Sequence, residues 1–175
     1  MTAPSPARSA YLHNLFAALS AQWRDFWRQA ARALPKGIWL AGLLLVLLVA
    51  ALARVTAVFS QPMTHDESYT FIAFASQTLP NVVSDYHLPN NHIFNSVLVH
   101  FSTRVFGNGP LAVRLPALLA GLLAVAAVYL LARAQYGDAP ALIAAAITAF
   151  LEAQVDISIL ARGYSLLGLL VLLEL

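Results

Sequence analysis

From Gly37 to Phe59 the chain is apolar at almost every position and carries a single charge, Arg54. A stretch of that length meets the roughly 20 residues a helix needs to cross a bilayer. It begins too far into the sequence for a cleavable secretory leader, so it is expected to stay in the membrane as a first transmembrane helix. The composition agrees. Hydrophobic residues make up 60% of the 175 and charged residues 10%, against about 25% charged in an ordinary soluble domain. The net charge of +2 is too small to suggest a nucleic-acid partner, and with no cysteine there is neither a disulfide framework nor a thiolate metal site.

Ahead of this span, Met1 to Ser9 is expected to be a disordered tail. From Ala10 to Leu34, Leu12, Phe16, Leu19, Trp23, Phe26, Ala30 and Leu34 recur at helical spacing beside a row of Arg24, Arg28 and Arg32. This pattern suits an amphipathic helix on a membrane surface, or equally one packed against the rest of the protein. These arginines and Lys36 place the N-terminus in the cytoplasm by the positive-inside rule, so the span leaves on the far side near Ser60.

Residues 60–109 then form an external loop that holds most of the polar chemistry. Asp66 to Gln77 is expected to be a short interfacial helix, and Leu79 to Asn91, with Pro80 and Pro89, a loop. Asn91 to Phe106 has one apolar face (Ile93, Phe94, Val97, Leu98, Phe101, Val105) and one polar face (His92, Asn95, Ser96, His100, Thr103, Arg104). Lipid around those polar groups would be expensive, so the segment is expected to lie in the interface with its polar face wet. Gly107-Asn108-Gly109-Pro110 is a turn, with Pro110 near the first helical position. Leu111 to Arg133 is a second span, Asp138 an N-cap, Pro140 to Val155 a third span, and Ser158 to Leu175 the start of a fourth. The expected architecture is all-α and polytopic. It comprises a 1–36 cytoplasmic tail and amphipathic helix, the 37–59 span, the 60–109 loop and three further spans in 110–175, read as part of a longer enzyme.

Thr64-His65-Asp66-Glu67-Ser68-Tyr69 is the polar stretch that calls for a use. Thr64 and Glu67 fit a capping box, whereas Asp66 has no such structural role. In this topology Asp66 and Glu67 share one surface with Arg114, Arg162 and Arg54. Arginine forks suit phosphate oxygens, and a carboxylate can take a proton from an attacking hydroxyl or amine. Arginines fixed in a low-dielectric site stabilise a departing phosphate. The set suits transfer from a phosphate-linked lipid donor, with His65, Tyr69, His92 and Tyr164 as further substrate contacts. Anchoring at the interface is the alternative for Arg114 and Arg162, and snorkelling for Arg54. His65, His87 and His92 match no strong metal-ligand spacing, so interfacial hydrogen bonding is expected of them and no cofactor, with a divalent metal held by these histidines and Asp66 as the alternative.

The same residues resemble a family. The Thr64–Tyr69 stretch after one span is similar to the first external loop of the GT-C membrane glycosyltransferases, among them the protein O-mannosyltransferases and the lipid A aminoarabinose transferases. So are Pro89-Asn90-Asn91-His92, Phe106-Gly107, Ala112-Val113-Arg114-Leu115-Pro116-Ala117 and Ala161-Arg162-Gly163-Tyr164. The resemblance covers about Arg54 to Leu170. It implies a polyprenyl-phosphate-linked sugar as donor, a lipid, glycan or protein acceptor, and a site on the external face, as in a bacterial inner membrane. It further implies Asp66 as the acceptor's base with Glu67 as its partner, Arg114 as the arginine preceding Leu-Pro-Ala, and Arg54 as an arginine near the end of the first span. Many family members have His-Pro-Pro-Leu where this chain has Asn90-Asn91-His92-Ile93. Two rivals stand beside this reading. One is a non-catalytic membrane module that binds lipid phosphate or a partner protein. The other is a transporter, which would be expected to carry charges near the midplane of its spans; here they gather at helix ends.

Overall fold

The computed structural model describes residues 34–88 and 91–174. The tail and nearly all of the amphipathic segment expected at 10–34 lie outside these. From Gly37 onward the described residues form one compact unit, and they are helical with no strand. Helix α1 is Ile38–Ser60, and α2 (His65–Thr70) runs into a π-helical turn, Phe71–Ala75. Then follow α3 (Leu79–Ser84), α4 (Ile93–Phe106), α5 (Pro110–Tyr136), α6 (Asp138–Phe150), α7 (Glu152–Ile159) and α8 (Tyr164–Glu174).

Two helices, α1 and α5, are long and apolar enough to cross a membrane. Helices α6 and α7 qualify together as a third crossing, bent by 58° at their junction, and α8 is a shorter apolar helix. Leucines and isoleucines stand exposed around the bundle: Leu44, Leu45, Leu48 and Leu52 on α1, Leu119 and Leu123 on α5, Ile143 and Ile147 on α6. An apolar surface this continuous is stable when covered by lipid. The chain is an all-α integral membrane protein.

Helix α5 is the hub, packing against α1, α4, α6, α7 and α8. Small residues make this possible. Ala141, Ala145 and Ala149 repeat every fourth position of α6, are fully buried, and cluster with Leu43, Ala50, Val125 and Tyr129. Without a water-driven hydrophobic effect between helices, close backbone approach over small side chains supplies much of the packing energy. Gly121 shows how close it is. A Cβ there would lie 2.3 Å from Ser158 Cβ, so α5 and α7 meet at a distance that only glycine permits.

Arg54 explains the bend. It is fully buried between α1 and the α6–α7 junction. Its Nε donates to Ser158 Oγ (2.8 Å) and its Nη1 to the carbonyl of Ala149 (2.8 Å). A cation at the carbonyl end of α6 offsets that helix's terminal partial charge. The third span expected at 140–155 falls on two helices that can form one bent crossing, and Glu152 and Asp156 are exposed. Pro116 also has its compensation. Lacking an N–H, it leaves the Ala112 carbonyl without its helical donor, and Ser102 Oγ donates to that carbonyl at 2.7 Å.

Three other expectations change. The segment 79–91 is not all loop, because Leu79–Ser84 is helical with Pro80 in the first turn, where a missing N–H costs little. Asp138 is not an N-cap; its carboxylate accepts from Tyr129 Oη and Arg133 Nε instead. Helix α4 lies where it was expected, with its faces reversed. Asn95, Ser96, His100 and Thr103 are buried, while Phe94, Phe101 and Val105 are 51–72% exposed. The polar groups are kept from lipid by the protein's own hydrogen bonds rather than by water.

Candidate functional site

The Thr64–Tyr69 stretch begins helix α2 with a complete capping box. Glu67 N–H donates to Thr64 Oγ1, and Thr64 N–H donates back to Glu67 Oε2 (2.9 Å). Glu67 does far more than cap. Fully buried, its Oε1 accepts from Arg114 Nε (2.8 Å) and from the Ala161 N–H (2.9 Å), and its Oε2 from Arg114 Nη2 (2.9 Å). Burial pushes this carboxyl upward. The Arg114 fork and the amides of Thr64 and Ala161 outweigh that and hold its pKa below the ordinary value.

Arg114 is equally committed. Beyond its two bonds to Glu67, Nη1 donates to the carbonyls of Val58 and Gln61 and Nη2 to that of Pro62. All five guanidinium N–H groups are thereby used. Helix α5 is thus tied to the end of α1 and the start of α2 through one side chain, and Glu67 carries the link on to the α7–α8 connection. Arg54 is similarly occupied at the α6–α7 bend. Both arginines, expected from the sequence to hold a donor phosphate, are bonded here to groups of the protein itself.

The connection between α7 and α8 carries the other half of the site. Ala161 is gripped at both polar groups: its N–H by Glu67, its carbonyl by Asn95 Nδ2 at 3.2 Å. The next residue, Arg162, forms an ion pair with Asp66 through Nη1 and Oδ2. Its Nη2 lies 3.4 Å from His92 Nε2, and its guanidinium carbon is 5.2 Å from the centre of the Tyr164 ring, a cation–π distance. His92 meets Tyr164 edge-on at 5.2 Å. Gly163 leaves room for this, since a Cβ there would sit 3.1 Å from His92 Cβ. Partial burial, and then the nearby Arg162 charge, lower the His92 pKa and so favour the neutral imidazole. Asp66 itself is open, its side chain 55% exposed beside the more exposed His65.

Of the residues singled out from sequence, Asp66, Arg162, His92 and Tyr164 meet directly, and His65 lies next to them. Glu67 and Arg114 form the buried layer behind. Tyr69 belongs to a neighbouring group: its hydroxyl is 3.3 Å from His87 Nε2, while His87 Nδ1 bonds Asp85. The His87 hydrogen bond holds the half-buried Asp85 carboxyl below its ordinary pKa. Arg54 stands apart. Asn95, Ala161 and Asp85 were not anticipated as site residues, and His87 was considered only as one of three histidines for a metal. Asn95 left one signal, its place on the polar face of an amphipathic helix. A cleft of about 300 Å³ opens beside the cluster, lined by His92, Asn95, Gly163, Tyr164 and leucines of α8. Asn95 Oδ1 is a buried acceptor with no hydrogen-bond partner among the described residues. Among those residues no three His, Asp or Glu side chains converge as a metal-ligand set.

Fold and site together define a class: an integral membrane helical protein whose loop between two spans sets adjacent carboxylates against arginines of later helices. Residues 93–173, from α4 into α8, match the family model of dolichyl-phosphate-mannose-protein mannosyltransferase. Over that stretch, which includes Arg114, Arg162 and Tyr164, the chain is GT-C mannosyltransferase-like. The acidic pair lies ahead of the matched segment. The chain matches no curated protein and no solved structure.

Proposed function

We propose that this chain contributes the catalytic loop of a GT-C glycosyltransferase, one that moves a sugar from a polyprenyl-phosphate donor to an acceptor hydroxyl or amine at the external membrane face. Asp66 acts as the acceptor's base. The acceptor's oxygen or nitrogen forms a bond to the anomeric carbon and the bond from that carbon to the phosphate oxygen breaks. The polyprenyl phosphate keeps the electron pair, and the acceptor's proton passes to Asp66. Arg162 moves from Asp66 to the donor phosphate when the donor binds, freeing the carboxylate as it stabilises the leaving charge. Glu67 and Arg114 are positioning residues that fix the loop and Ala161. His65, Tyr69, His92 and Tyr164 line the approach, and Asn95 Oδ1 offers an acceptor to a substrate hydroxyl. The cytoplasmic N-terminus and a bacterial inner membrane are part of this reading.

The observation that carries it is the ion pair between an open Asp66 and a largely buried Arg162, seated beside the fully buried Glu67–Arg114 pair. The test is transfer of label from radiolabelled polyprenyl-phosphate sugars in membranes containing the chain. Asp66→Asn is expected to lose about 10²–10⁴-fold in transfer while still binding donor. Unchanged transfer in that variant removes the base assignment.

A further inference from the structure

A second polar pocket lies away from Asp66, where the C-terminal half of α4 meets the π-helical turn. It measures about 110 Å³ and is lined by Phe71, Ala75, Ser76, His100, Thr103, Arg104 and Asn108. Its construction is ordered. His100 is 4% exposed, and its Nδ1 bonds the Ala75 carbonyl at 2.9 Å. Arg104 Nε donates to His100 Nε2 at 3.0 Å. Those two bonds fix the tautomer: Nδ1 carries the hydrogen and Nε2 accepts. A buried imidazole thus pins the inner nitrogen of an exposed arginine, and the two terminal nitrogens form no hydrogen bond or ion pair among the described residues. No carboxylate lines the pocket. The other arginines in α1 to α8 are engaged differently: Arg114, Arg133 and Arg162 pair with carboxylates, and Arg54 is bonded to Ser158 and main-chain carbonyls.

The surroundings say what such a fork meets. Phe101, Val105 and Phe106 on α4 and Ile72 on the π-helical turn are all at least half exposed, an apolar rim that acyl chains would cover. A pinned guanidinium beside that rim, with Asn108 and Ser76 nearby, matches a phosphate carried on a lipid. We infer that Arg104, oriented by His100, binds the phosphate of an anionic membrane lipid and so anchors α4. Two parallel N–H groups meet two phosphate oxygens, the bidentate geometry that lysine cannot reproduce. At 1.5 Å per residue, Arg104 lies roughly 18 Å along α4 from His92, so one phosphate cannot serve both this pocket and the Asp66 cluster. The inference stands whether or not the chain transfers sugars.

The experiment titrates the detergent-solubilised full chain with short-chain phosphatidylglycerol, short-chain phosphatidylcholine and inorganic phosphate, read by calorimetry. Wild type is expected to prefer phosphatidylglycerol. Arg104→Ala and Arg104→Lys should each weaken that binding about tenfold or more, the equivalent of one charge-assisted hydrogen bond. Arg104→Lys keeps the charge and checks that a loss is not mere unfolding, as does an unchanged helical circular dichroism signal. His100→Gln should weaken binding less than Arg104→Ala. Equal binding of wild type and both Arg104 variants overturns the site. Equal affinity for phosphatidylglycerol and phosphatidylcholine overturns the anionic preference. Inorganic phosphate that binds as tightly and displaces the lipid overturns the lipid as its source.

Discussion

Asp66 and Glu67 are neighbours on one short helix, about 100° apart around its axis, and each is paired with an arginine. Glu67 is fully buried and accepts from Arg114, Thr64 and Ala161. Asp66 is open to the surroundings and shares one arginine with His92 and Tyr164. The buried pair cannot exchange partners without stranding two charges away from water, whereas in the rim pair the carboxylate is already open to the surroundings. One helix thus supplies both a fixed element and a movable one, and that separation is what a site needs if a carboxylate is to be released on demand.

Breaking the buried pair should have the largest effect. Arg114→Ala leaves the Glu67 carboxylate without its main counter-charge and three carbonyls without donors. A cost of about 3–5 kcal/mol is expected, read as loss of folded protein or a strongly lowered midpoint in thermal unfolding followed by circular dichroism in mild detergent. Replacing both partners together, Glu67→Leu with Arg114→Met, should be less damaging than Arg114→Ala, because no buried charge is left alone. Recovery will be partial, since the carbonyls of Val58, Gln61 and Pro62 still lose their donor. A double variant as unstable as the single one would mean that the carbonyl contacts, not the ion pair, dominate.

A packing change comes next. Gly121→Ala puts a methyl 2.3 Å from Ser158 Cβ. Separating α5 from α7 is expected to cost about 1–3 kcal/mol in the same unfolding measurement. It should also disturb the partners of Arg54, because Ser158 is one of them. An unaltered midpoint would show that α7 shifts freely, and then Ala161 is not held in place by this contact.

Acidity separates the two carboxylates more gently. The folded pKa of Glu67 is lowered from 4.5. Its pairing therefore contributes full stability above about that pH, and the contribution is lost as pH falls through the lower folded value. Stability should decline on acidification below pH 4.5, and in Glu67→Gln that part of the decline should vanish. A wild-type profile that is flat there would argue that Glu67 is not charged in the folded state.

Much of this fold was legible in the sequence because long apolar runs leave few alternatives: α1 and α5 begin within a residue of the expected limits and the Pro110 turn is as written. The bend after Phe150 was not, since no proline or glycine marks it; its stabilising contact comes from Arg54, about a hundred residues earlier. Helix α4 was legible as amphipathic, yet which face met lipid was not, because periodicity identifies two faces without saying what lies against each. The same limit applies to the site. Spacing already set Asp66 and Glu67 apart, but for Glu67 the Thr64-x-x-Glu67 pattern showed only the cap. That Glu67 also binds Arg114 and Ala161 depends on contacts 47 and 94 residues away, which no local pattern encodes.

The smallest effect is the sharpest check on the comparison. Asp66→Asn should change stability by less than about 1 kcal/mol, because the Asp66 carboxylate is open to solvent, which screens its pairing with Arg162. Raising the salt should narrow even that difference. If Asp66→Asn instead destabilises as much as Arg114→Ala, the rim pair is a structural clamp, and a base that must give up Arg162 for each turnover becomes untenable. If its stability is nearly unchanged while transfer is lost, the two carboxylates have divided their work. Glu67 then holds Ala161, and with it Arg162, where the open carboxylate of Asp66 can use it.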